Sequence, residues 1–174
     1  MSPLVKGLVV AVVQVGLVAS LGAKLLYDRA TLPRVWVRSA PYDPTLPIRG
    51  RYVRLQLVVS LVGQGQDSDS DDSSPRPVSL GIAKGQLVGE MRPRAQAHDP
   101  DSSRIRFIRL ADEKLAVLDT PVAYFIPEHV PDPLQRPAGE ELWVEVSMPT
   151  KGAPRPIRLG VKKGDGPIVP LDLR

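Results

Sequence analysis

Chemistry in this chain would fall to few residues. Glu128 and His129 stand side by side, and with Asp43 or Asp172 in support they offer the carboxylate and imidazole of a hydrolytic acid/base pair. Neighbours on an extended chain point to opposite faces, which argues against Glu128 and His129 acting together. The plainer readings are a Glu128 paired with one of the many arginines and a His129 on a surface loop. Asp67, Asp69 and Asp71 have the spacing of the first three ligands of an EF-hand loop. That pattern fails where calcium geometry demands most, with Asp72 in place of the turn glycine and Val78 in place of the closing glutamate. His98 and His129 are the only histidines, and neither has a partner at metal-site spacing. Cysteine is absent, which excludes disulfides, thiolate metal sites and cysteine nucleophiles. There is no Gly-x-Ser-x-Gly and no phosphate-cradling glycine loop, so hydrolase and nucleotide readings lose their usual support. No catalytic residue, metal or cofactor is expected.

Basic side chains are more numerous. Arg34, Arg38, Arg49, Arg51 and Arg54 form one group, and Arg104, Arg106 and Arg109 another. Nucleic acid is not expected as a partner, because stacking aromatics are scarce at 5% of residues. Anionic headgroups, or an acidic partner close to a bilayer, fit better. A plain solvated basic surface is the simplest reading.

What must position these residues is a chain of 174, enough for one domain and an appendage. With 19 Pro, 14 Gly and no heptad pattern, short strands joined by turns are favoured over helices. The appendage is the N-terminus, residues 1–30. Gly7 to Ala23 is apolar apart from Gln14 and Ser20, with Lys6 before it and Lys24 after it. Such a run has no polar face to show to water, which argues against a buried helix of a soluble domain. At about 1.5 Å per residue it spans roughly 25 Å, a little short of the ~30 Å hydrocarbon layer. Leu25 and Leu26 extend it, Lys24 can snorkel, and Tyr27 falls where an interfacial aromatic sits, so residues 7–27 are expected to contact the lipid bilayer.

An uncleaved anchor is favoured over a signal peptide, whose apolar region would be only about 7–15 residues. The candidate cleavage sites, Val18-Ala19-Ser20 and Ser20-Leu21-Gly22, also fit poorly. Lys6 on one side and Lys24 with Arg29 on the other leave the positive-inside count undecided. A very short leading tail ordinarily stays in the cytoplasm, which puts residues 31–174 outside it.

Beyond the anchor, Arg34 to Arg38 fits a strand, and Pro41 to Gly50 is turn chemistry, with Pro44, Pro47, Asp43 and Gly50 each restricting the backbone. From Arg51 onward the odd positions Val53, Leu55, Leu57, Val59 and Leu61 are apolar, while Tyr52, Arg54, Gln56 and Ser60 are polar. Period two predicts one strand with a buried and a wet face, whose register the rigid turn fixes.

The stretch Gly50-Arg51-Tyr52-Val53-Arg54-Leu55-Gln56-Leu57, with Asp43-Pro44 and the Trp36 strand before it, resembles the GDYXXLXY family of bacterial membrane-anchored proteins. Gly50, Tyr52 and Leu55 match; Arg51 stands where the family has an acid and Leu57 where it has an aromatic. Ala123 to Glu128, which includes Tyr124, is similar to the family's Tyr-Phe-x-Pro-Glu segment, and Gly160 to Leu173 to its closing strand. The resemblance implies an N-terminal anchor and an extracytoplasmic β-rich domain, and it carries over no catalytic residue. Asp43, Gly50, Arg51, Tyr52, Arg54, Leu55, Tyr124 and Glu128 are the residues it marks.

Residues 63–77 have no apolar side chain but proline and read as a solvated, flexible loop. That stretch carries −3 of the chain's net +4, leaving a body of +7. Strand-like runs follow at 78–83, 86–91, 105–110, 115–119, 122–126, 142–148, 156–163 and 168–171, with Gly164-Asp165-Gly166 turning the last hairpin. The expectation is an all-β domain, a small antiparallel barrel or sandwich of roughly seven to nine strands, behind a single transmembrane helix. A non-catalytic binding or accessory module follows, with a membrane protein as a candidate partner. The alternative is an envelope hydrolase using Glu128 with Asp43 or His129.

Overall fold

The computed structural model describes residues 2–40, 52–62, 74–93, 103–110, 113–127, 129–149 and 152–173. The chain divides into two compact units, Met1–Leu32 and Pro33–Arg174.

The first unit is one helix, α1 (Pro3–Thr31). None of its residues is buried, and it is long and apolar enough to cross a membrane. Pro3 opens it, where a missing N–H removes no helical bond. The Ser20 and Thr31 hydroxyls donate to the helix's own carbonyls at Leu17 and Tyr27, each at 2.8 Å, so neither is left bare. The helix outruns the expected segment by four residues past Tyr27 and stops at Leu32, which Pro33 forces into extended backbone (φ −65°, ψ 140°).

The second unit is all β. Its strands are β1 (Arg34–Ala40), β2 (Tyr52–Leu57), β3 (Ser60–Val62), β4 (Arg76–Ala83), β5 (Gln86–Met91), β6 (Ser103–Leu110), β7 (Glu113–Leu118), β8 (Val122–Phe125), β9 (Glu140–Ser147), β10 (Arg155–Lys163) and β11 (Val169–Pro170). A six-stranded sheet runs β11-β10-β9-β1-β2-β8, and a five-stranded sheet runs β3-β5-β4-β6-β7. One core serves both: Val35, Val37, Leu55 and Val144 from the first sheet meet Val78, Leu87, Ile105 and Leu118 from the second.

The alternation from Val53 to Leu61, expected as one strand, is two. β2 pairs with β1 (Ser39↔Leu57, Ala40↔Gln56), whereas β3 pairs with β5, and in parallel (Ser60↔Val88, Val62↔Glu90). Between them Val58 donates its N–H to the Arg38 carbonyl at 3.0 Å and Val59 donates to the Ala116 carbonyl at 2.8 Å. The chain thus passes from one sheet to the other in a single step. Its parity survives the passage, since Val53, Leu55, Leu57 and Val59 are all buried.

Gln56 breaks that parity. Expected on the wet face, it is 2% exposed. Its Oε1 accepts from Arg106 Nε at 3.1 Å and Nη2 at 2.8 Å. Two N–H donors can meet only an oxygen, and they outweigh a 3.5 Å approach of the amide to the Leu118 carbonyl in setting its orientation. Arg106 also lies 3.9 Å from Asp119.

Lys84 and Gly85 close the β4–β5 hairpin with φ of 51° and 73°, the paired positive values of a type I′ turn. Gly164 (φ 51°) turns the chain after β10 as expected. β4 begins at Arg76, so Arg76 and Pro77 are strand residues rather than the end of the loop. They pair with Ile105 and Arg104, and the Arg76 head stacks 5.7 Å from the Phe107 ring centroid. The rest of the expected loop as far as residue 73, and the turn at 41–50, lie outside the described residues.

Candidate functional site

β2 and β8 carry the marked residues in antiparallel register: Tyr52↔Phe125, Val53↔Tyr124, Arg54↔Ala123 and Leu55↔Val122. Opposed residues share a face. On one face Tyr52 and Phe125, 54% and 59% exposed, meet edge to face with centroids 5.4 Å apart. Arg54 shares that face and is half-buried. On the other face Leu55 is fully buried in the core, and the half-buried Tyr124 donates its hydroxyl to the Ile157 carbonyl at 3.4 Å. The marked residues therefore divide between core, contact and surface. Asp43, Gly50, Arg51 and Glu128 lie outside the described residues, and His129 is exposed in the turn after β8.

Ile157 is where β10 slips. Its pairing with β9 shifts between Pro156 and Arg158, leaving Ile157 as an extra residue whose carbonyl is released from the ladder. Tyr124 takes that carbonyl and brings the edge strand β8 to β10, so the six-stranded sheet curls toward closure.

The face of β1, β9 and β10 that bears the tryptophans is self-satisfied. Trp36 and Arg158 both stand opposite Glu145. Arg158 Nε donates to Glu145 Oε2 at 2.6 Å, and its guanidinium lies 5.3 Å from the Trp36 centroid. Gly160 makes room for that indole, since a Cβ there would come within 2.8 Å of Trp36 Cζ3. Lys162 lies 5.5 Å from the Trp143 centroid, and Trp143 Nε1 donates to Glu141 at 3.2 Å.

Beside this face, at the C-terminal end of β1, lies a cleft of about 340 Å³. Ala40, Leu110, Leu134 and Leu142 give it apolar walls, and Arg38, Arg136, Glu140 and Glu141 give it charge. Arg38 is held from two sides, by Glu113 at 3.2 Å and Glu141 at 3.1 Å. Arg136 is positioned differently. Asp132 caps the turn before it, accepting from the Leu134 N–H at 2.9 Å, and Arg136 Nε donates to the Pro133 carbonyl, also at 2.9 Å. Among the described residues no carboxylate pairs with Arg136, whose two terminal nitrogens stay available beside the apolar walls. This geometry can hold a ligand with an apolar body and a carboxylate or similar anion. Among the described residues that line it there is no histidine, cysteine or lysine.

Sequence reasoning had Arg38 only as one of a basic group and passed over Arg136 and Glu141. Residues 38, 110, 136 and 141 meet only through sheet topology, and the one local signal was the Asp-Pro turn at Asp132-Pro133. Among the described residues, no group of three or more His, Cys, Asp or Glu could hold a metal ion. Comparison of the chain with protein-family models, curated proteins and solved structures finds no match.

Proposed function

We propose that this protein is a single-pass membrane protein whose β unit lies outside the cytoplasm of a bacterial envelope and serves as a non-catalytic binding or accessory module. One observation carries the reading: α1 contains an apolar run long enough to cross a membrane, and none of its residues is buried. In water such a helix would be strongly unfavourable, whereas hydrocarbon satisfies it, every backbone group being bonded within the segment. The chain passes from α1 to β1 through Leu32 and Pro33, so the bilayer that holds the helix tethers the β unit. Resemblance of residues 50–57 to membrane-anchored envelope proteins agrees. The Arg38–Arg136 cleft is the binding site of this reading, for an anionic group presented by a membrane-protein partner.

Alkaline carbonate extraction of membranes tests the anchor: full-length protein should remain with the membrane, and a fragment beginning at Thr31 should be soluble. A mature N-terminus near Lys24 would show instead that the helix is a cleaved signal. Co-purification from detergent tests the module. A partner retained by the intact protein and lost with Arg136→Ala supports the cleft, and retention by both variants moves the contact elsewhere.

A further inference from the structure

Gln14 interrupts the apolar run of α1 near its middle, eight residues after Lys6 and ten before Lys24. Ser20 within that run and Thr31 beyond it give their hydroxyl protons to carbonyls of the preceding turn. Gln14 is exposed, and its longer side chain carries two N–H donors and a carbonyl oxygen past a backbone whose groups are already paired. In hydrocarbon an unpartnered amide is strongly unfavourable, so such groups turn toward another polar group rather than toward lipid.

We infer that Gln14 is the contact through which α1 pairs with α1 of a second copy of this chain inside the bilayer, an inference that rests on the membrane-anchor reading above. Depth favours the second copy. Two copies inserted the same way bring Gln14 to the same level by construction, whereas any other partner would need a polar group placed there independently. Chemistry favours it too. An amide is its own complement, each N–H meeting the other's oxygen across a two-fold axis.

The pattern around Gln14 has the matching geometry. Gly7, Ala11, Gln14, Val18, Leu21 and Leu25 recur at alternate spacings of four and three, the seam on which two helices pack side by side. Gly7 and Ala11 are small, and a Cβ at Gly7 would meet nothing in the lone helix, so a neighbouring backbone can come close where Gln14 must reach across. The opposite face holds small residues as well, Gly16, Ala19 and Ala23, but within the apolar run it has no side-chain polar group that lacks a bond.

The chain has no cysteine, so any one introduced reports a single position. Ala11→Cys and Val18→Cys lie on the seam, and Val12→Cys and Ala19→Cys lie off it. With the full-length protein in membranes, oxidation should crosslink the first two to a species of twice the mass at least several-fold more efficiently than the last two. In the Val18→Cys background, Gln14→Leu should lower crosslinking several-fold and Gln14→Asn should largely preserve it. Equal crosslinking with Gln14→Leu, a maximum at Ala19, or a product of some other mass overturns the inference. Carbonate extraction of the same membranes separates the two failures. Protein retained without seam crosslinks sinks the pairing alone, and protein released sinks the anchor with it.

Discussion

Tyr124 on the edge strand β8 and Ile157 on β10, the strand next to the opposite edge, are joined across one sheet, the phenol donating to the carbonyl at the β10 slip. The bond converts a register irregularity into a closure, because β8 otherwise has only β2 beside it in the sheet order.

Tyr124→Phe keeps the ring and removes the donor. It should lower stability by about 0.5–1.5 kcal/mol, the usual net worth of one hydrogen bond. Urea denaturation of the soluble fragment measures it. An unchanged midpoint would mean that water satisfies the Ile157 carbonyl equally well.

Leu55 and Arg54 are neighbours with opposite fates. Leu55 is 0% exposed, and Leu55→Asp should prevent folding. Loss of a buried leucine alone takes about 2–5 kcal/mol, an unpaired carboxylate adds to that, and the total stability of such domains is roughly 5–15 kcal/mol. Arg54→Asp, on the aromatic face, should move stability by about 0.5 kcal/mol. Thermal denaturation of the two variants decides, and a worse Arg54 variant would give that face the structural role.

Gln56 is the buried acceptor for Arg106, so Gln56→Leu should cost about 1.5–3 kcal/mol, the range for bonds to charged groups. If the cost comes from stranding the guanidinium, adding Arg106→Leu should recover part of it. A double-mutant cycle with no coupling would show that the two side chains act separately.

Gly160→Ala drives a methyl to within 2.8 Å of Trp36 and 2.9 Å of Ile168, so the indole must shift. The expected loss is about 1–3 kcal/mol, with a change in tryptophan emission. Gly81→Ala is the control. Its methyl would meet only Val88 Cγ2 at 3.9 Å, an ordinary contact, and stability should hold or rise slightly.

Much of this fold was legible because period-two patterns report burial directly. The span 86–91 was read to the residue, and Leu55 was rightly placed in the core. The same signal is blind to partners. Alternation runs unbroken through Val58 because the buried side stays the same while the sheet changes. Gln56 looked wet because its partner, Arg106, stands 50 positions away and only folding brings the two together. The cleft was illegible for a related reason: Arg38, Leu110 and Arg136 are ordinary residues until β1, β6 and the turn before β9 converge.

The passage of residues 52–62 from the first sheet to the second also governs how the β unit comes apart. A sheet that shares neither backbone nor core with its neighbour can melt alone. Here Val58 and Val59 bond to strands of both sheets, and the side chains of Val53, Leu55, Leu57 and Val59 fill the core between them. Neither sheet has a partial state that keeps its own contacts. Unfolding should therefore be a single cooperative transition. Fluorescence of Trp36 and Trp143, which lie in the six-stranded sheet alone, and far-ultraviolet circular dichroism, which reads both sheets, should trace one curve.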